Sequence, residues 1–119
     1  MEITVIKALI RNPAHPEKER LLEFLVDSGA TFSVISEDIL NELGIEPHRE
    51  QEFVLADGTK IKRKIGDAIF EINGLRAASP VVFGEKEDSI LLGVFTLESL
   101  GFILDPFKRE LRPAKLLMV

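Results

Sequence analysis

Leu21-Leu22-Glu23-Phe24-Leu25-Val26-Asp27-Ser28-Gly29-Ala30 is the stretch on which the reading of this chain turns. Residues 21–26 are almost wholly apolar, which predicts a strand buried on both faces. That strand runs without a break into an aspartate. A carboxylate in such a place is costly: buried and unpaired, it loses several kcal/mol or takes up a proton. Its neighbours offer compensation. Gly29 and Ala30 are small enough for backbone N–H groups to approach the carboxylate, and Ser28 adds a hydroxyl that can lock the turn. The competing reading is an ordinary turn residue, because Asp-Ser-Gly tripeptides are common. Asp27 alone does not decide between them.

Outward from this stretch, glycine and proline cut the chain into short pieces. Residues 2–10 are rich in β-branched side chains and predict a strand, closed by a turn at Asn12, Pro13 and Pro16. Residues 31–35 predict another. The one persuasive helix follows, with Ser36 as N-cap, Glu37 and Asp38 at its positive end, an apolar stripe of Ile39, Leu40 and Leu43, and Gly44 past its end. Strand patterns resume at 52–55, 60–65, 68–72 and 75–83, with turns at Asp57-Gly58, Gly66 and the hairpin signal Asn73-Gly74. Residues 89–92 form a short apolar strand, 94–100 a short helix, and 102–104 and 110–112 flank a turn at Asp105-Pro106. Six or more short strands with one or two short helices predict an all-β fold, a small closed barrel.

The 119 residues suit one domain, 1–119, and their 45% apolar content is enough for a core. The chain has no cysteine, which removes disulfides, thiolate metal ligands and cysteine nucleophiles and suits a reducing, cytoplasmic setting. His15 and His48 stand far apart in loops, so no metal site is expected, and no Gly-x-Ser-x-Gly motif supports a serine hydrolase. A formal charge of −5 argues against nucleic acid as a partner. No apolar run reaches the ~18 residues of a membrane helix, so no membrane partner is expected. The acid at Glu2 and the lack of a small-residue cleavage site speak against a signal peptide.

The odds on Asp27 change with Ile90-Leu91-Leu92-Gly93, a second apolar strand ending in glycine and followed by Phe95-Thr96-Leu97. Apolar-Asp-Ser-Gly-Ala early, and apolar-apolar-Gly before a short helix late, resemble the retropepsin-like (clan AA) aspartic peptidases, in particular their short single-lobe prokaryotic members. The likeness runs from residue 21 to about residue 104. It implies a retropepsin-like acid-protease fold of a single lobe. Asp27 would be the catalytic carboxylate, and Ser28 would brace two active-site loops across a subunit boundary. Gly29, with Ala30 beside it, would hold the loop turn. Leu92 and Gly93 would pack beneath that loop, and Ala56, Asp57 and Gly58 would form the tip of a flap over substrate.

Such a mechanism needs two carboxylates sharing one proton, and no cofactor. Asp38, Asp57, Asp67, Asp88 and Asp105 lack the strand-Asp-Ser-Gly-Ala context, so the second carboxylate is expected from a second copy of Asp27 in a homodimer. The resemblance therefore implies an endopeptidase acting on peptide or protein substrates. The alternatives are a catalytically idle module for dimerisation or peptide binding, and an ordinary barrel with a chance motif. Three departures stand out, the first being Ser28 where Thr is commoner, which keeps the hydroxyl but loses the packing methyl. The retroviral Asp and Arg that follow the two motifs are Thr31 and Val94 here, missing together. The flap tip is charged where retroviral tips are apolar and glycine-rich. The basic run Lys60, Lys62, Arg63 and Lys64 reads as a solvated edge, or as a contact for nucleic acid or an acidic peptide. The apolar tail Leu116-Leu117-Met118-Val119 reads equally as an interface strand or as packing on the chain's own barrel.

Overall fold

Strand β1 (Val5–Arg11) pairs antiparallel with β2 (Glu19–Val26) across a turn organised by Asn12. In the computed structural model, which describes residues 4–105, 107–115 and 117–118, the Asn12 side chain is buried. Its oxygen accepts from the N–H groups of Ala14 (2.8 Å) and His15 (3.2 Å), and its amide donates to the Leu43 carbonyl at 2.8 Å. One residue thus closes the turn and fastens it to the end of the first helix. Then come β3 (Ser33–Ser36), α1 (Glu37–Glu42), β4 (Arg49–Val54), β5 (Lys60–Ile72), β6 (Leu75–Gly84), β7 (Leu91–Leu92), α2 (Val94–Ser99), β8 (Phe102–Asp105) and β9 (Glu110–Pro113).

Seven strands form one sheet in the order β1-β2-β7-β3-β6-β5-β4. Because β1 also pairs with β5, at Leu9↔Glu71, Ile10↔Phe70 and Arg11↔Ile69, the sheet closes on itself and only β4 hangs outside the ring. The ring is filled by Ile10, Phe24, Ile35, Leu40, Phe70, Val81 and Leu92, with the Phe24 and Phe70 rings 6.0 Å apart. β8 and β9 form a separate hairpin. Its turn is closed by Asp105, whose side chain accepts from Phe107 and Lys108; Pro106, the other half of the expected turn, lies outside the described residues. So do Glu2 and Ile3 of the first expected strand and Leu116 and Val119 of the tail, whereas Leu117 and Met118 are exposed.

Local chemistry accounts for most boundaries. Ser36 caps α1 by accepting from the Ile39 N–H at 3.4 Å, and Gly44 (φ +73°) ends it. Asn73 and Gly74, at φ 51° and 82°, make the tight turn that joins β5 to β6.

Two expectations need correction. β2 is buried on one face, not two: Leu22 and Phe24 point inward, whereas Leu21 is 58% exposed. Among the described residues the outward face of β2 is largely open to solvent. There Leu21 lies opposite Leu9, between the cross-strand pairs Lys7↔Glu23 and Arg11↔Glu19. Nor does Gly66 make a turn between two strands, because β5 runs through it unbroken. Gly66 is small for packing: a Cβ there would lie 2.9 Å from the Phe83 ring and 3.1 Å from the Glu46 carbonyl.

Candidate active site

Asp27 stands where β2 leaves the sheet. Beside it β7 runs parallel, so the Leu25 N–H donates to the Ile90 carbonyl (3.1 Å) and the Asp27 N–H to the Leu92 carbonyl (3.0 Å). The main chain then turns sharply, with the Ala30 N–H donating to the Asp27 carbonyl at 3.1 Å. The Asp27 carboxylate accepts from the Gly29 N–H at 2.9 Å. A Cβ on Gly29 would lie 3.2 Å from the same oxygen, so the small residue permits the approach. Ser28 is exposed, and its hydroxyl has no partner among the described residues.

In the single chain the carboxylate is exposed, not buried as its apolar strand predicts. β2 ends at Val26, and within one chain no element covers the residue beyond it. The strand delivers Asp27 to the surface.

Beneath the loop, the Ile-Leu-Leu-Gly strand serves as its foundation. Leu92 is fully buried. An ideal Cβ on Gly93 would sit 2.6 Å from both the carbonyl carbon and oxygen of Phe32, and 3.0 Å from the Ala30 oxygen. No other residue fits there without moving the Asp27 loop. The first N–H groups of α2 then bind that loop: Val94 donates to the Ala30 carbonyl (2.8 Å) and Phe95 to that of Thr31 (3.0 Å). The two segments that bear Thr31 and Val94 are thus joined by main chain rather than by an ion pair.

Sequence reasoning missed a set of buried hydroxyls below this junction. Ser33, Ser79 and Thr96 are all essentially inaccessible. The Gly93 N–H donates to Ser33 Oγ (3.0 Å), Ser33 Oγ lies 2.6 Å from Thr96 Oγ1, and Thr96 Oγ1 lies 2.8 Å from Ser79 Oγ. Ser79 in turn donates to the Pro80 carbonyl at 3.2 Å. Since each hydroxyl has one proton, the chain has a single direction: Gly93 to Ser33 to Thr96 to Ser79 to Pro80. It ties β3, β6, α2 and the end of β7 into one unit. The signal in the sequence was three hydroxyl residues at positions whose neighbours are apolar.

Also missed were Phe32, Phe53 and Phe95. Phe32 meets Phe53 of β4 edge-on (centroids 6.0 Å) and stacks on Phe95 of α2 (6.1 Å). This row of rings joins the Asp27 loop to the β4–β5 hairpin, the candidate flap. At its tip Gly58 (φ +86°) makes the turn, and the Asp57 carboxylate accepts from the Thr59 N–H at 2.9 Å. Hydrogen bonds from Thr59 hold the Asp57 carboxyl below the usual carboxylate range. The charge at the tip therefore serves the tip's own turn, with Ala56 and Gly58 exposed beside it. Lys62 and Lys64 lie opposite Glu52 and Glu50, whereas Lys60 lies opposite Val54 and Arg63 opposite Gln51, so half of the basic run is matched by acids across the hairpin.

A hollow of about 540 Å³ lies between His15, His48, Gly44 and Asp67, and no residue of the Asp27 loop lines it. Among the described residues no three His, Asp or Glu side chains are grouped to hold a metal ion. Among them, too, no helix is long and apolar enough to cross a membrane.

The arrangement has known counterparts. The model of the family described as "gag-polyprotein putative aspartyl protease" matches residues 18–99, more than half of the chain. The fold is similar to that of EIAV protease complexed with the inhibitor HBY-793, at 18% identity and a TM-score of 0.64, covering 98% of this chain and 94% of that one. It is also similar to the solution structure of Simian Foamy Virus (mac) protease, at 21% identity and a TM-score of 0.52, covering 75% and 86%. No curated protein matches the sequence. A strand-borne Asp-Ser-Gly-Ala loop seated on a Leu-Leu-Gly strand, inside the matched segment, places this chain in the gag-polyprotein aspartyl protease family, with the single-lobed fold of the retropepsin-like aspartic peptidases.

Proposed function

We propose that the whole chain acts as one peptidase domain and that two copies build one active site. The single observation that carries this reading is the placement of Asp27: a lone carboxylate, rigidly backed by Gly29 and Leu92, presented at the surface at the end of β2. No second loop in the sequence repeats its context. A two-fold axis through this loop would bring the two Asp27 carboxylates together, with each exposed Ser28 hydroxyl free to bond across to the other subunit.

The chemistry then follows from proximity. Two carboxylates at close range cannot both ionise, so one keeps its proton and the pair titrates as a unit. The ionised member withdraws a proton from a bound water, whose oxygen attacks the peptide carbonyl carbon. The protonated member donates to the carbonyl oxygen. The tetrahedral adduct collapses as the carboxyl that took the water's proton gives it to the departing nitrogen, the C–N bond breaks, and one hydroxyl proton of the adduct returns to the other carboxylate. No cofactor and no covalent enzyme intermediate take part. The substrate is an extended peptide, laid as a strand between the active-site loops and the flap tips at Ala56, Asp57 and Gly58. We place the enzyme in the cytoplasm, where a chain without cysteine needs no oxidative help to fold.

The test is cleavage of a diverse peptide library by the protein and its Asp27→Asn variant, from about pH 4 to pH 8, with mass in solution measured alongside. Activity lost in the variant, from a dimeric protein, supports the reading. Equal activity in both assigns the cleavage to a contaminant, and cleavage by a strict monomer rejects the shared site. Absence of activity in both favours a module that binds peptide without hydrolysis.

A further inference from the structure

The candidate flap is a lever with a definable root. The pairing of β5 with β6 ends at Ile65↔Val82; from Ile65 back to Lys60, its strand partner is β4. The hairpin therefore projects beyond the closed ring from a root at Ile65 and Gly66, where Phe83 and the Glu46 carbonyl leave no room for a Cβ. Residues that face each other across a hairpin share a side. Gln51, Phe53, Ile61 and Arg63 thus point one way, and Glu50, Glu52, Val54, Lys60, Lys62 and Lys64 point the other.

Arg63 makes the strongest contact on the first side. Its Nε donates to Asp88 Oδ2 at 2.8 Å and its Nη2 to Asp88 Oδ1 at 3.1 Å, a two-pronged pair. Nη1 adds Glu85 at 3.2 Å and the Lys62 carbonyl at 2.9 Å. The Arg63 side chain is only 14% exposed and that of Asp88 25%. By contrast Lys64–Glu37, on the other side of the hairpin, is long (3.4 Å) and open to solvent, the kind of pair that contributes little.

Asp88 in turn organises the loop between β6 and β7. Its carboxylate accepts from the Glu85 N–H at 2.7 Å, and its N–H donates to the Glu85 carbonyl at 2.9 Å. Two residues further on, the Ile90 carbonyl takes the Leu25 N–H, and the Leu92 carbonyl takes that of Asp27. One ion pair and four residues of chain thus separate the flap from the main chain of the candidate catalytic residue.

We infer that Arg63 is a positioning residue: clamped to Asp88, it sets the height of the flap over the active-site loop and so the affinity for a peptide held between them. The inference rests on the peptidase reading for its substrate and, for its mechanics, on the clamp acting beside the Phe32–Phe53 ring contact. Breaking the pair populates open positions of the hairpin, and apparent affinity falls with the fraction that remains closed. The step at Asp27 is untouched once the flap has closed.

The experiment compares the full chain with Arg63→Met, Arg63→Lys, Asp88→Asn and the double variant Arg63→Met/Asp88→Asn. One measurement is steady-state cleavage of a peptide that the unaltered protein cuts. The other is amide hydrogen exchange, which needs no activity. Arg63→Met and Asp88→Asn each raise KM about tenfold and leave kcat within about twofold. Arg63→Lys, which keeps the charge and loses the fork, falls between. The double variant is no worse than either single one, because both remove the same contact. Exchange accelerates about tenfold in residues 50–62 and stays unchanged in β1 and β2. Additive effects in the double variant, an unchanged KM, or faster exchange throughout the chain would each overturn the inference. If the unaltered protein cleaves nothing, the peptidase reading fails; unchanged hairpin exchange in the variants is what sinks the clamp.

Discussion

Replacing Thr96 by valine tests the framework beneath the Asp27 loop. Valine has nearly the shape of threonine, so the substitution removes a hydroxyl without opening a cavity. Thr96 Oγ1 accepts from Ser33 (2.6 Å) and donates to Ser79 (2.8 Å) at a site with 0% exposure. After the change the Ser33 proton has nowhere to go, because its other neighbour, the Gly93 N–H, is itself a donor. Ser79 keeps its bond to Pro80 but loses the one it receives. A buried donor left unpaired costs about 1–3 kcal/mol, and the second lost bond adds about 1 kcal/mol. The expected loss is therefore about 2–4 kcal/mol, some thirtyfold to several hundredfold in the folding equilibrium at ~1.4 kcal/mol per tenfold change.

The assay is urea unfolding at fixed protein concentration, since stability would depend on concentration if two copies join as proposed. It is followed by far-ultraviolet circular dichroism, because the chain contains no Trp or Tyr for fluorescence. Thr96→Ser is the control: it keeps the hydroxyl, deletes one methyl and costs about 1 kcal/mol. A Thr96→Val loss below about 0.5 kcal/mol, or a Thr96→Ser loss equal to it, would refute the directional hydrogen-bond chain.

Gly93→Ala should destabilise by more than about 2 kcal/mol and abolish cleavage, because its Cβ meets the Phe32 carbonyl; Gly58→Ala, in open space at φ +86°, should cost only about 1 kcal/mol. Thermal unfolding and the peptide assay separate the two. Hydrogen bonds from Arg63 hold the Asp88 carboxyl below its ordinary value of 3.8. With the folded value depressed, the pair's stabilisation is fully present above 3.8 and is lost as pH falls below it. The stability gap between the protein and Asp88→Asn should therefore narrow below that pH, and a gap constant into strong acid would contradict the assignment. Deleting residues 115–119, of which Leu117 and Met118 are exposed, should leave a folded monomer by sedimentation if the tail joins the subunits; an unchanged dimer rejects that role.

Much of the architecture was legible because it is written in neighbouring residues. Ser36 and Gly44 bound α1 through caps that reach three or four positions, and Asn73-Gly74 turns the chain where only φ above zero will do. The misreadings arose where composition has two meanings. An apolar run such as 21–26 signals burial, yet Leu21 rests on Leu9 at the outer surface of the ring. Gly66 looks like punctuation, but it is small because Phe83 and Glu46 crowd it from elsewhere in the chain. The hydroxyls of Ser33, Ser79 and Thr96 looked incidental until the fold stacked them.

By itself, then, the sequence determined the all-β class and the Asp-Ser-Gly-Ala and Leu-Leu-Gly pair, with the family those motifs point to. Each depends on side chains a few positions apart and on backbone preferences that act locally. The tertiary structure alone decided that β1 meets β5 to close the ring, that Gly93 lies against Phe32, and that Arg63 grips Asp88. It also decided that Asp27 emerges at the surface of one chain. These depend on which distant segments share a volume, and the size, charge and hydrogen-bonding capacity of a residue gain that meaning only when its neighbours in space are set.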